Sequence, residues 1–495
     1  MKFKEIENLR EINKISGKAK KILFVNPRRK TCNVNIPHMG LAILSAILKK
    51  RGHSVLIVDY QLIHKAPKIS FFLKKFNPDV IGVSIMTSNI NEANELIEEI
   101  RRTDNKSPLL VGGPHATLYP ENLRDNKSID YIVQGESEPI IIDLVEKVSR
   151  QKNPIVLQSK IIIDPNNTPY PDYKSFFRWE EIRGYPIMTS RGCPYRCSFC
   201  PVAYIGQKKW RARDPKDCIN ELKTAMKELN PHLHILIQDD NALVIKERFY
   251  YFLEMFEKEI KARISITNTR ADDISDKFLE LFKKAGGYSI GIAVESANPD
   301  VFKLVNKGET LETIDRAAKL IKKHKLLLSF CFIIGLPEDN LKRMEDSIKF
   351  TKKHNPDSVY WNMMMPYKNT LVREWFEKNG RVYNEIGKTS LSDGDFRCDE
   401  PSVETKDFTI WQRKKAHYMA LFRTTDDRLS PLNIWEIFKE AKRYNELRDF
   451  FYWLPRGITQ FAKRKLELGN KFLKYAQREG FKSAIKRSIF LVKES

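Results

Sequence analysis

Two successive series of short apolar runs, each run followed by a helix-length amphipathic segment, restrict this chain to a narrow set of folds. The first series comprises KILFVNP (21–27), SVLIVD (54–59), DVIGVSIMTS (79–88), LLVGG (109–113) and DYIVQGE (130–136), with GLAILSAILKKRG (40–52) as its first helix. Apolar runs of this kind suit parallel strands buried on both faces. Five of them, closed by the helical EPIIIDLVEKVSR, predict a doubly wound, Rossmann-like α/β domain over 1–150. Residues 151–184 contain NNTPYPDYKSFF, where Pro and Asn interrupt any period, and read as a linker.

The second series is YPIMTSRG (185–192), HLHILIQDD (232–240), ARISITNTR (262–270), YSIGIAVES (288–296), LLSFCFIIGLP (327–337) and DSVYWNMMMP (357–366). Six βα units in order predict a parallel, right-handed, partial (β/α)6 TIM-like barrel over 185–380. Its reactive groups are expected at the carboxyl ends of the strands. Residues 381–495 lack strand alternation and read as a basic helical carboxyl-terminal segment.

Composition sharpens these limits. A chain of 495 residues with 42% hydrophobic side chains and only 21 Gly and 24 Pro is neither disordered nor collagen-like. The seven cysteines are odd in number and sparse, with three crowded together, which points to a metal site in a reducing cytoplasm and not to disulfides. The charged amino terminus has no apolar core of a secretory signal, and no apolar run is long enough to span a bilayer, so a cytoplasmic protein is expected. Lys and Arg total 86 against 63 Asp and Glu, a formal charge of +23 that favours polyanions or anionic membrane surfaces.

The sharpest motif is SRGCPYRCSFCPVA, which spaces Cys193, Cys197 and Cys200 as CxxxCxxC. Three thiolates on one short loop suit three irons of a four-iron, four-sulfur cluster and leave the fourth iron open. Structural zinc is the alternative, but it needs a fourth ligand, and the nearest cysteine, Cys218, falls in a predicted helix.

With Phe199 just before the last cysteine, this motif resembles the signature of the radical S-adenosylmethionine enzymes. The resemblance implies a 4Fe-4S cluster that chelates S-adenosylmethionine and cleaves it reductively to a 5′-deoxyadenosyl radical. It also implies a cofactor role for strand-end residues. Asp239 and Asp240 lie where the family places polar groups near the methionyl amine, although an acidic pair also caps a helix well. Arg270 is similar to a residue kept near the cofactor, or forms a rim salt bridge. Glu295, with Ser296 beside it, resembles the ribose-binding position, since a carboxylate accepts two vicinal hydroxyls. Gly335 and Pro337 resemble the glycine motif that lets backbone approach adenine. Cys331 reads as a small core residue.

A doubly wound domain before such a barrel resembles the cobalamin-binding members of that family, over roughly 20–380. Ligands of open α/β sheets sit outside the carboxyl ends of the strands. The resemblance therefore assigns cobalamin to Pro37, His38, Gly40, Ser84, Thr87, Gly112, Gly113, His115, Gly135 and Glu136. The Asp-x-His-x-x-Gly signature that supplies an axial histidine in many cobalamin proteins is missing from NPRRKTCNVNIPHMG, so His38 and His115 are axial ligands or ordinary loop residues. No G-x-G-x-x-G follows a strand, which disfavours a flavin or nicotinamide.

The expected function is modification of an unactivated carbon of an apolar small molecule or lipid, by methyl transfer, ring closure or rearrangement, with a flavodoxin or ferredoxin as electron donor. The tail from 456 holds eleven Lys/Arg against three Asp/Glu, interleaved with aromatics, and suits peripheral contact with an anionic inner membrane face. An RNA-directed methylthiotransferase is the alternative enzyme. It calls for three further amino-terminal cluster cysteines where this chain has only Cys32, and nucleic acid is accordingly not expected as a partner. A non-catalytic iron-sulfur binding module is the third reading.

Overall fold

The structure is a computed structural model, and it describes residues 5–14, 18–28, 36–63, 66–206, 209–230, 232–383 and 401–424. The first parallel sheet contains β1 (Lys21–Asn26), β2 (Ser54–Asp59), β3 (Val80–Ser84), β4 (Leu109–Gly112), β5 (Tyr131–Gln134) and β6 (Ile155–Gln158), in the order β2-β1-β3-β4-β5-β6. All five residues of β3 and five of six in β1 are buried, because helices cover both faces. β1 lies between β2 and β3, so chain direction across the sheet reverses there and opens a crevice at the carboxyl edge. The sixth strand lies in the stretch expected to be a linker. It is an edge strand with one buried residue in four, too short and too weakly apolar to stand out as a run.

The second sheet contains β7 (Gly184–Ile187), β8 (His234–Ile237), β9 (Ile264–Thr269), β10 (Gly287–Glu295), β11 (Leu327–Ile334) and β12 (Ser358–Met363). They pair in parallel and in chain order, with β7 and β12 at the two edges, as an open six-stranded barrel requires. Burial alternates along these strands. Ile290, Ile292 and Val294 of β10 and Leu328, Phe330, Phe332 and Ile334 of β11 are buried against the helices, whereas Ser289, Gly291, Ala293, Ser329 and Cys331 are partly exposed to the lumen.

The helix that follows β12 in the barrel plan is Ile410–Arg423. It packs on helix Leu341–His354 and on β11 and β12, and Trp361 of β12 donates to Thr424 at 3.0 Å. This part of the expected carboxyl-terminal segment therefore completes the barrel wall. Between them, Arg381–Val382 pairs antiparallel with Val403–Glu404, two residues each, where no strand was expected. The basic tail from 456, Cys32 and Cys398 lie outside the described residues. Among the described residues no helix is long and apolar enough to cross a membrane.

Candidate active site

The three cysteines lie on a loop whose stem is a two-residue antiparallel ladder, Ser190–Arg191 against Arg211–Ala212, just beyond the carboxyl end of β7. All three thiols are partly exposed. Burial, with help from the neighbouring sulfurs, pushes Cys197 up to about 11 and Cys200 up to about 12. Such a set is poor at holding three negative charges alone, and metal cations among the sulfurs would reverse the penalty. Among the described residues no three His, Cys, Asp or Glu side chains gather as a single-ion site. Cys218 is buried in helix Pro215–Glu228 beside Arg213 and Glu221, apart from the loop. The donor set fits a cluster held by three thiolates.

Around the loop the packing is specific. The Ser198 N–H donates to the Val305 carbonyl at 2.9 Å and its hydroxyl to that of Leu304 at 2.8 Å. Phe199 packs against the apolar cluster of Val301, Val305, Leu336, Met364 and Phe376. Tyr195 lies under the Arg270 guanidinium, 3.7 Å from its ring centre.

The strand-end residues divide. Asp239 is buried, and its oxygens accept from the Thr189 N–H at 2.6 Å, the Thr189 hydroxyl at 2.7 Å and the Ser190 hydroxyl; burial pushes its carboxyl up to about 6. Both of its oxygens thus bind the loop stem. Asp240 is partly exposed and accepts the Gly192 N–H at 2.9 Å, next to Cys193. Arg270 is bidentate to Asp272 at 3.0 and 2.7 Å and donates to the Lys307 carbonyl, so it is a rim salt bridge that also supports Tyr195. Glu295 is buried at the end of β10 with its carboxyl pushed up to about 7 by burial, against the pull of nearby Lys307. The Ser296 hydroxyl accepts the Asn298 N–H.

Gly335 adopts φ +84°, and a β-carbon there would lie 1.8 Å from Nη1 of Arg413, which donates to the Gly335 carbonyl at 2.7 Å. Leu336 and Pro337 follow and the turn is closed by Asp339, which accepts the Gly335 N–H at 2.8 Å. Sequence reasoning missed Arg413 because it lies on the barrel's last helix, far from any strand end. It also missed Lys307 and Glu309, a buried pair at 2.9 Å on a loop between two helices. Cys331 faces the lumen and its sulfur accepts from Asn362 at 2.9 Å, so it is not core packing.

On the first domain, Pro37 and His38 precede helix Met39–Arg51, and Gly40 is exposed in its first turn. His38 Nδ1 accepts the Leu41 N–H at 3.2 Å and Nε2 lies 2.9 Å from the Ser84 hydroxyl. Both ring nitrogens are thus engaged within the protein. His115 is fully buried on Thr87 and stacked on Tyr119. Burial pushes it down to about 4, and among the described residues its Nε2 has no hydrogen-bond partner. Gly112 and Gly113 end β4 beside Ser84, and Gly135 donates its N–H to Thr117 at 3.1 Å. Glu136 is bidentate to Arg211 of the loop stem at 2.6 and 2.9 Å. The two domains also meet through Leu118 and Tyr119, packed with Ile205, Met365 and Tyr367, while Met86 and Tyr204 are exposed.

Residues 29–145 match the B12 binding domain family and residues 187–351 the Radical SAM superfamily. The chain is 27% identical over 383 residues to the anaerobic magnesium-protoporphyrin IX monomethyl ester cyclase of Rubrivivax gelatinosus, covering 70% of this chain and 68% of that one. It is 25% identical over 306 residues to the bacteriochlorophyllide d C-12(1)-methyltransferase of Chlorobaculum tepidum, covering 59% and 64%. Its fold is similar to that of the radical S-adenosylmethionine methyltransferase TsrM of Kitasatospora setae, with a TM-score of 0.65, 14% identity and coverage of 91% and 100%. It is likewise similar to the cobalamin-dependent S-adenosylmethionine radical enzyme OxsB, with a TM-score of 0.64, 18% identity and coverage of 88% and 72%.

Proposed function

We propose, for a chain that belongs to the cobalamin-binding radical S-adenosylmethionine enzymes, the modification of an unactivated carbon of an apolar small molecule, by methyl transfer, ring closure or rearrangement. Its cofactors are a 4Fe-4S cluster, S-adenosylmethionine and cobalamin, which when bound supply one-electron cleavage of a sulfonium and methyl or radical chemistry at carbon. Cys193, Cys197 and Cys200 would hold the cluster. Phe199, Asp240, Glu295, Ser296, Gly335 and Pro337 would receive S-adenosylmethionine, with Arg270 and Asp239 acting through the loop they fix. Ser84, Thr87, Gly112, Gly113, Gly135, Pro37 and Gly40 would line the cobalamin crevice at the first sheet's carboxyl edge.

The observation that carries the reading is the position of three partly exposed thiols at the barrel mouth, beside the first sheet's strand-end loops. Glu295 suits a ribose, as a buried carboxyl with few protein partners exchanges its protonated form for hydroxyl hydrogen bonds. The exposed Met86 and Tyr204, with Ile205 and Met365, support an apolar substrate at the junction, and the relatives' porphyrin-type substrates agree with this. A flavodoxin or ferredoxin donor, and membrane contact through the tail, belong to the same proposal. The test is anaerobic reconstitution with iron, sulfide and cobalamin, followed by reduction with S-adenosylmethionine and mass analysis of lipid and pigment extracts. Release of 5′-deoxyadenosine with a one-methyl gain or a two-hydrogen loss is expected. A single tetrahedral ion at the three cysteines would overturn the reading.

A further inference from the structure

The loop that holds the three cysteines is fastened at its stem from two directions. From the barrel side, Asp239 binds Thr189 and Ser190, Asp240 binds the Gly192 N–H, and the Asn241 carbonyl accepts from Trp210 at 3.0 Å. From the first domain, the turn after β5 contributes two carboxylates. Glu136 grips Arg211 bidentately and also accepts the Ile163 N–H at 2.9 Å, while Glu138 accepts from Arg191 at 2.8 Å. Arg191 and Arg211 are register partners in the stem ladder, and Arg191 lies two residues before Cys193. Both arginine side chains are 14% exposed and Glu138 is 10% exposed, so these pairs are partly withdrawn from solvent and sharply oriented.

We propose that Glu136 and Glu138 are positioning residues: they tie the stem of the cysteine loop to the first domain, so that the cluster site is registered against that domain as well as against the barrel. This rests on the reading above for its purpose, since a carbon reacting between two cofactors needs their separation held constant. It gives Glu136 and Glu138 of the QGESE motif an alignment role, beside Gly135 at the cobalamin crevice. Removing one carboxylate charge loosens the stem without removing any side chain from the cofactor sites.

The test is hydrogen–deuterium exchange on the full chain, comparing wild type with Glu136→Gln, Arg211→Lys and their double variant, and with Glu138→Gln. Each single variant is expected to raise exchange of the amides at 189–192 and 209–213 by about fivefold, with the β8 and β9 amides unchanged and the double variant no worse than either single. In reconstituted samples, cobalamin content stays at the wild-type level, and the ratio of 5′-deoxyadenosine to modified product rises about fivefold. Unchanged stem exchange, exchange rising equally throughout the chain, or loss of cobalamin with an intact stem would each overturn the proposal. The exchange measurement needs no cofactor, so it stands or falls separately from the assigned chemistry.

Discussion

The two parallel sheets of this molecule are built from similar apolar runs but place their chemistry differently. In the first, helices cover both faces, so β1 and β3 are buried almost throughout and only strand-end loops meet a ligand. In the second, helices cover the outer face alone, and every other residue of β10 and β11 looks into a lumen. The lumen side carries mostly small residues, Ser289, Gly291, Ala293, Ser329 and Cys331, with Ile333 at the end of β11, whereas the outer side carries Ile, Leu, Val and Phe. A sheet covered twice offers its edge, and a sheet covered once also offers a face.

Adjacent substitutions test this contrast most directly. Phe330 is fully buried and packs on Phe332, Phe350 and His354, so Phe330→Ala is expected to destabilise by about 4 kcal/mol through lost burial and a cavity. Its neighbour Cys331→Ala removes a partly exposed sulfur and with it the contact to Asn362, and is expected to cost about 1 kcal/mol or less. In the first sheet, Val80→Ala and Ile81→Ala, both fully buried, are expected to cost similar amounts, about 2–3 kcal/mol each. Urea midpoints of the four variants check the pattern. Equal losses at Phe330 and Cys331 would break the comparison.

Both regions bury charges as pairs, Lys307 with Glu309 at the barrel rim and Arg101 with Asp130 in the first domain, and the first domain also buries the His115 imidazole on Thr87 and Tyr119. In the folded chain burial holds His115 down at about 4, below an unfolded value of about 6.5. Its contribution is therefore fully present above about pH 6.5 and is lost as pH falls towards 4, where the unfolded chain takes up a proton that the folded chain refuses. The expected loss is about 3 kcal/mol across that window. His115→Phe, which retains a ring against Tyr119, should flatten that acid limb in Tm measured from pH 7 to 4. An unaltered limb would show that other groups govern it.

Most of the fold was legible because long parallel strands need apolar runs, and the three cysteines were legible because their spacing is local. QDDN and QGESE stand at strand ends, where a ligand is the natural expectation, yet Asp239 and Glu136 bind the protein's own loop stem. Which partner a carboxylate takes depends on residues about 50 and 75 positions away, and no periodicity encodes that. β6 was hidden because an edge strand needs little apolar surface. Arg413 was hidden because the barrel's last helix follows a long insertion after β12.

A small expected effect separates the two kinds of strand-end turn. Gly135, after β5, has φ +80°, and a β-carbon there would meet only the Ser159 carbonyl at 3.4 Å, an ordinary contact. Its requirement for glycine is conformational, so Gly135→Ala should cost about 1–2 kcal/mol, the penalty of placing an L side chain in the left-handed region. Gly335, after β11, has nearly the same φ but faces a buried guanidinium, so there the space itself is forbidden. A urea-midpoint loss for Gly135→Ala above about 3 kcal/mol would mean that the first domain's turn is also filled by its neighbours. The contrast between an edge shaped by backbone and a rim shaped by packed side chains would then fail.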